Sequence, residues 1–287
     1  MLKNRSVISI SGEDRKSFLQ GLITNDVSKA SDGKAVYAFM LSPVGRFLYD
    51  FFIVEVGKKL FLDCCLEKVD EIVQKLSFYK LRSKVEIRKE LGLVVVSLKS
   101  LVVSYGGIWF VDPRDFEMGF RGFVVLGDDK RNECGVEVAK PDLRGEMCDE
   151  IDDEYNLRRI NLVLPDDSDL TFDKSFPLEF GFDGFNAVDY QKGCYVGQET
   201  TARMHYKGVI RKKVFLVEVL ECAEIEKGAE IEVGDKKIGE ILSSVLYQEK
   251  LFALALIKNV DNEGKEINLV ELKLTIPQVE KEIKIIK

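Results

Sequence analysis

Eight consecutive residues, Lys192 to Glu199, constrain this chain more than any other stretch. Gly193 and Gly197 lie on either side of Cys194, and glycine permits positive φ angles or the close approach of another chain or a ligand. The following residues, 198–204, carry an acid early and a base late, as the helix dipole favours, and they predict a short helical turn. Cys194 is therefore expected on a tight loop beside a cation, Lys192.

Two interpretations of Cys194 are open at this point. A nearby cation or helix N-terminus lowers the pKa of a thiol and makes it reactive. Alternatively, Cys194 is a small buried hydrophobe, which is the usual environment of a free cysteine. Composition alone favours the second interpretation.

The cysteine and histidine content excludes several kinds of site. The chain has 287 residues with one histidine and six cysteines, and the cysteines form no C-x-x-C pair: Cys64, Cys65, Cys134, Cys148, Cys194 and Cys222. Neither a disulfide framework nor a structural zinc site is indicated. Because His205 is the single histidine, a histidine-based catalytic triad elsewhere in the chain is excluded.

Charge and hydropathy limit the partners and the compartment. The formal net charge is −7 without a basic tail, which disfavours direct nucleic-acid binding because such binding needs clustered cations. No run of about 18 apolar residues occurs, so no membrane span is predicted. The N-terminus carries neither a signal-peptide pattern nor an Arg/Ser-rich transit pattern, and we expect a cytoplasmic protein.

Residues 1–90 predict two strand–helix–strand units. Alternating or continuous apolar residues indicate strands, and apolar residues at helical spacing indicate helices. Strands are predicted at Ser6–Ser11, Lys34–Leu41, Phe47–Val56 and Lys59–Cys65, and helices around Phe18–Ile23 and at Glu67–Tyr79. This order is typical of an α+β domain built from layers.

Asp50 stands inside the apolar strand predicted at 47–56. A carboxylate in such a run needs a partner, a ligand or a solvent-lined cavity. Arg46 is the nearest candidate partner in sequence. A structural ion pair and a ligand site are both open here, because structural pairs also perturb charges.

The pattern changes twice in the second part of the chain. Short strands with glycine-rich turns cover 91–128, a loop is expected at 130–140, and an acidic helix is expected at 146–161. The acids at 150–154 are interpreted as a solvated helix face, because no histidine joins them. Beyond Lys207 five short strands predict an antiparallel barrel, with 279–287 a further strand or a tail: Val214–Leu220, Glu230–Val233, Lys237–Ser244, Leu251–Ile257 and Asn268–Lys273.

Several blocks together resemble one known family. Lys192 to Glu199 matches the pattern K-G-C-[YFW]-x-G-Q-E, and Leu41 to Asp50 matches L-S-P-x-G-R-F-L-x-D. Between these two blocks lie three shorter ones that resemble the same family: Asp112-Pro113-Arg114, Gly119-Phe120-Arg121-Gly122 and Pro177-Leu178-Glu179. The chain thus resembles the YgfZ family of folate-binding iron–sulfur assembly factors, which is related to the T-protein (aminomethyltransferase) of the glycine cleavage system.

The resemblance implies a fold and a domain division. The fold is α+β and T-protein-like, with two mixed α/β subdomains around a central folate channel and a C-terminal antiparallel β-barrel. The folate-binding region would cover 1–207, divided near 90 into two subdomains, and the barrel would cover 208–287.

The resemblance also implies a cofactor, partners and site residues. The cofactor is tetrahydrofolate, and its contacts would come from seven side chains: Arg46, Asp50, Glu179, Lys192, Gln198, Glu199 and Arg203. Cys194 would be the reactive thiol that transiently holds iron, a persulfide or a mixed disulfide. Partners would be iron–sulfur assembly proteins and client enzymes, with an indirect effect on tRNA modification and no stable metal site.

Two other functions are open. T-protein carries G-G-x-x-D-D where this chain has Tyr49-Asp50, so an acid expected of an aminomethyltransferase is replaced by tyrosine. A folate-dependent one-carbon transfer enzyme needs an acid at the reacting nitrogen. The remaining alternative is a non-catalytic scaffold without folate.

Overall fold

The computed structural model describes most of the chain. The described residues are 1–100, 106–125, 147–208, 210–220, 224–233, 236–258, 273–276 and 279–286. The loop predicted at 130–140 lies outside them, as do Cys134, Cys222 and most of the strand predicted at 268–273.

The first layer is a five-stranded antiparallel sheet with two helices. Its strands run in the order β2-β3-β4-β1-β5, and its elements are β1 Arg5–Ser11, α1 Arg15–Gln20, β2 Val36–Leu41, β3 Phe47–Val56, β4 Lys59–Cys65, α2 Val69–Lys80 and β5 Glu86–Lys89. Helix α2 buries Val69, Ile72 and Leu76 against the sheet. These side chains recur at helical spacing, which is why this segment packs as a helix on one face of the sheet.

The second layer is a three-stranded sheet followed by a long helix. The strands β6 Leu93–Leu98, β7 Ile108–Val111 and β8 Phe120–Val125 lie in the order β6-β8-β7, and α3 spans Met147–Asn161. A short helix, α4 Gln198–Lys207, follows the signature stretch.

The C-terminal part is a closed six-stranded barrel in the order β10-β11-β12-β9-β14-β13. Its strands are β9 Lys212–Val219, β10 Glu230–Val233, β11 Lys236–Tyr247, β12 Lys250–Lys258, β13 Lys273–Ile276 and β14 Val279–Ile285. The terminal segment is a strand, and its pairing with β9 and β13 closes the barrel. Closure removes exposed sheet edges.

One apolar core joins the three parts. It contains Phe39 and Phe52 of the first sheet, Phe123 of the second, and Leu216 and Leu254 of the barrel. The predicted division at 207/208 stays a prediction, with the first barrel strand beginning four residues later at Lys212.

Candidate functional site

The signature loop lies across the end of helix α1. Lys192 donates from its ammonium group to the carbonyl oxygens of Gln20, Ile23 and Asn25 at 2.7, 2.6 and 2.8 Å. On the other side of Cys194, the backbone N–H of Val196 donates to the carbonyl of Gly21 at 3.2 Å. The loop is thus fastened to residues 20–25 at both ends.

The Lys192 side chain fills a structural role. Lys192 is only 9% exposed, and its ammonium group lies 5.2 Å from the centre of the Tyr195 ring. Burial lowers the pKa of Lys192 to about 8, against the opposing charges of Asp26 and Asp189. Its three donors go to the carbonyl groups at the end of α1 and just beyond it, so none remains for a folate tail.

Asp189 supports the start of the same loop. Its carboxylate accepts from the backbone N–H groups of Gln191 and Lys192 at 2.8 and 3.2 Å, and pairs with Lys29 at 2.7 Å. The backbone N–H of Asp189 donates to the carbonyl of Thr24 at 3.0 Å. Residues 189–196 therefore form one anchored segment.

Two of the sequence blocks meet at a pair of glycines. Gly197 precedes α4 with φ +86°, and Gly45 lies in the turn between β2 and β3 with φ +82°. A Cβ at Gly197 would lie 2.7 Å from the Ser42 carbonyl oxygen and 3.2 Å from the Cα of Gly45, and one at Gly45 would lie 2.8 Å from the Cβ of Thr200. Only glycine allows this approach, so the turn at 42–46 packs directly on α4.

Cys194 is exposed, unlike the other two cysteines whose side chains are described. Cys64 is buried and Cys65 is partly exposed. Burial raises the pKa of both of these thiols and keeps them protonated. The buried-hydrophobe interpretation of Cys194 is wrong, because its side chain is exposed.

Asp50 is held in a buried ion-pair cluster, and its partner is Arg5 rather than Arg46. Arg5 donates from Nη1 to Asp50 at 2.8 Å and from Nε to Asp63 at 2.6 Å, and the Tyr37 hydroxyl donates to Asp50 at 3.2 Å. Asp50 is 1% exposed. The strand direction carries Arg46 away to the surface, where it donates to the carbonyl of Asp173 at 3.2 Å.

Three guanidinium groups surround the Phe52 ring. The carbon atoms of the guanidinium groups of Arg5, Arg114 and Arg121 lie 5.7, 4.6 and 3.8 Å from its centre. Arg121 donates to Asp63 at 2.5 Å, and Arg114 donates to Asp112 at 2.7 and 3.0 Å. Neither Arg114 nor Arg121 is a solvated surface residue, since they are only 3% and 1% exposed.

The other predicted folate contacts lie apart from this cluster. Glu179 borders a cavity of about 370 Å³ beside the barrel. Glu199 and Arg203 form a surface ion pair at 2.6 Å on α4, and Gln198 begins that helix half-buried. Among the described residues the seven side chains are thus spread over the buried cluster of Asp50, the cavity beside the barrel and the loop and surface around α4, and their role as folate contacts stays a prediction.

A cavity that the sequence did not indicate borders the anchored segment. It has a volume of about 760 Å³ and its walls include Lys29, Lys34, Asn186, Asp189 and Tyr190. A smaller cavity of about 280 Å³ reaches Asp50 from the side of Tyr49 and Asp167. The first is assembled from segments that are far apart in sequence, so periodicity carries no signal for it.

Comparison with known proteins places the chain. Residues 3–89 match the family model described as the GCVT N-terminal domain. The mouse (Mus musculus) iron–sulfur cluster assembly factor IBA57, mitochondrial, is 30% identical over 262 residues, which cover 81% of this chain and 70% of the mouse protein. The chain belongs to the IBA57 (YgfZ) family of iron–sulfur cluster assembly factors. The resemblance inferred from the sequence is confirmed.

Other IBA57 relatives are longer than this chain. The homologue of Coccidioides immitis is 30% identical over 253 residues, covering 76% of this chain and 56% of the relative. The homologue of Mycosarcoma maydis is 32% identical over 231 residues, covering 74% and 54%. The chain thus spans little more than half the length of these IBA57 proteins.

The T-protein-like fold is confirmed by a solved structure. The glycine cleavage system aminomethyltransferase T from Bartonella henselae matches with a TM-score of 0.66 at 11% identity, covering 98% of this chain and 82% of that one. At this identity the likeness concerns the fold that the IBA57 family shares with the aminomethyltransferase, and not its activity.

The location predicted from the sequence is contradicted. The IBA57 relatives are mitochondrial by name, whereas we expected a cytoplasmic protein. That expectation relied on a missing leader pattern, and a missing pattern does not report the compartment. Among the described residues no helix is both long and apolar enough to cross a membrane.

Sequence reasoning missed several residues that build this region. Arg5, Asp63 and Asp189 join segments far apart in the chain. Asp63 could have been found, because it stands in the apolar strand 59–65 as Asp50 stands in 47–56. Arg5 and Asp189 could not have been found in this way, because they lie at the edges of their segments and not inside an apolar run.

Proposed function

We propose that this chain serves the assembly of iron–sulfur proteins and that the Cys194 thiolate is a transient ligand for a cluster carried by a partner. The observation that carries the proposal is the exposed thiol of Cys194 on a loop anchored at both ends. Membership of the IBA57 family supports it. Soft thiolate is the ligand type that iron–sulfur species use.

One thiol sets the stoichiometry of the proposed step. A [2Fe–2S] cluster takes about four thiolate ligands, so the partner or small thiols supply the others. Among the described residues no group of three or more His, Cys, Asp or Glu side chains is placed to hold a metal ion. The cluster is therefore cargo held between two molecules.

The chemistry is a ligand exchange. The Cys194 sulfur forms a bond to iron as one thiolate of the carrier leaves that iron, and the proton of the Cys194 thiol passes to the leaving thiolate. The iron and sulfide oxidation states do not change, so no oxidant or reductant is needed.

The test is replacement of the thiol. Cys194→Ser, in a strain whose own copy of this protein is deleted, is expected to fold normally and fail to restore the activity of iron–sulfur enzymes. Cys65→Ser, which alters a partly exposed thiol elsewhere, is the matched control and is expected to restore it. Full restoration by Cys194→Ser would remove the proposed role.

The proposal does not require folate. Tetrahydrofolate binding and an effect on tRNA modification stay predictions from the resemblance. Calorimetric titration with folinic acid tests the first: saturable binding that is lost in Asp50→Ala would support the folate channel, although Asp50 also pairs with Arg5 and Tyr37. Absence of binding would favour the scaffold alternative, and detectable aminomethyl transfer would favour the enzyme alternative.

A further inference from the structure

Cys194 has no bonds of its own that hold it in place. Neither Gly193 nor Cys194 donates a backbone hydrogen bond to any described residue, and the Cys194 side chain is exposed. A Cβ added at Gly193 would meet nothing within 4 Å. The position of the thiol is therefore set by the anchors on either side.

The stronger anchor is Lys192. Lys192 lies only two positions before Cys194 in the chain. Its three carbonyl contacts, at 2.6 to 2.8 Å, all go to residues 20–25. With its pKa lowered to about 8, the side chain is still mainly a cation at neutral pH and keeps three donors for three acceptors. Charged hydrogen bonds of this kind are stronger than neutral ones.

We infer that Lys192 is the positioning residue for Cys194, and that it holds the thiol where a cluster ligand exchange takes place. The inference rests on the proposed function. Lys192 acts through the loop and not through its charge on the sulfur, because its ammonium group is buried against the carbonyls of residues 20–25. Asp189 works with it by holding the backbone N–H of Lys192.

The inference separates two properties of the thiol. Alkylation by a small reagent such as iodoacetamide needs only exposure, and the exposure of Cys194 does not depend on the anchor. Ligand exchange with a bulky, rigid cluster needs a fixed approach, and a displacement of about 1 Å can slow a positioned reaction by about 100-fold.

The experiment measures both properties on the purified full chain at pH 7. The probe is a [2Fe–2S] cluster ligated by glutathione, with uptake followed by visible circular dichroism. Alkylation of Cys194 is followed by peptide mass spectrometry. The variants are Lys192→Met, Asp189→Ala and Cys194→Ser. The matched control is Lys16→Met, because Lys16 is a lysine of α1 whose ammonium group pairs with Glu55 at 2.6 Å.

Lys192→Met and Asp189→Ala are expected to lower cluster uptake at least about tenfold while alkylation of Cys194 keeps the wild-type rate. Lys16→Met should leave both unchanged. If Lys192→Met does not fold, Asp189→Ala carries the test, because it removes the backbone support and the pair with Lys29 but leaves the Lys192 side chain in place.

Four results would overturn the inference. Wild-type uptake by Lys192→Met and Asp189→Ala, with uptake lost in Cys194→Ser, would refute positioning and leave the proposed function standing. A joint loss of uptake, folding and selective alkylation in both of these variants would reduce Lys192 to a stability residue. Absence of uptake by the wild type, or full uptake by Cys194→Ser, would refute the proposed function and the inference together.

Discussion

Substitution by alanine is expected to lower the stability of the protein strongly at one glycine of the signature and hardly at all at the other. Gly197→Ala places a Cβ in a left-handed backbone conformation, at φ +86°, which costs about 1–2 kcal/mol. The same Cβ would lie 2.7 Å from the Ser42 oxygen and 2.9 Å from the Cβ of Leu41, and overpacking of this kind costs about 1–3 kcal/mol. Together the free energy of unfolding should fall by about 2–5 kcal/mol.

Gly193→Ala is the matched control four positions earlier in the same loop. Gly193 does not have a positive φ, and the added Cβ meets nothing within 4 Å. The free energy of unfolding should therefore change by no more than about 0.5 kcal/mol. Urea unfolding of the purified variants, followed by far-UV circular dichroism, measures both changes. The free energy of unfolding should depend on urea concentration with the same slope in both variants. Equal effects of the two substitutions would refute the reasoning, since the predicted difference comes from the positive φ of Gly197 and from its contacts with residues 41–45.

Three further outcomes follow from the buried charges and the thiols. Asp63→Asn leaves two buried guanidinium groups short of a counter-charge and should lower the free energy of unfolding in urea by about 3–5 kcal/mol; a loss below 1 kcal/mol would contradict the ion-pair geometry. Burial, reinforced by neighbouring carboxylates and opposed by one guanidinium, raises the pKa of Asp167 to about 7. The native state thus holds a proton that the unfolded chain has released, so this group makes stability fall as pH rises from about 4 to 7. Thermal unfolding across that range should show a smaller fall in Asp167→Asn, and an unchanged slope would count against the assignment. Iodoacetamide should label Cys194 in the native protein well before Cys64, as read by peptide mass spectrometry, and equal labelling would mean that the signature loop is not exposed as described.

Local pattern was sufficient for most elements near the site. The strands predicted at Phe47–Val56 and Lys59–Cys65 match β3 and β4, and the helical turn predicted from 198 is α4, although it continues to Lys207. Apolar periodicity is a property of neighbouring residues, and the apolar face that it produces on a helix or strand packs into the core.

The partners of charged side chains could not be predicted in the same way. Asp50 was identified as a buried acid from its strand, but its partner Arg5 lies 45 positions earlier in the chain, whereas the sequence pointed to Arg46. Lys192 was expected to serve a ligand or the thiol, and its acceptors are carbonyls some 170 residues away. Hydrogen bonds and ion pairs depend on which groups come within about 3 Å of each other, and sequence spacing does not report that distance.

The sequence by itself determined the family, the layered α+β order with its barrel, and the position of the cysteine that carries the proposed function. These follow from apolar periodicity and from the signature residues, which are local properties of the chain. Only the tertiary structure decided that Cys194 is exposed, that Gly45 and Gly197 pack closely, and that Asp50 pairs with Arg5. The physical reason is that burial, close packing and charge pairing arise between segments brought together by folding.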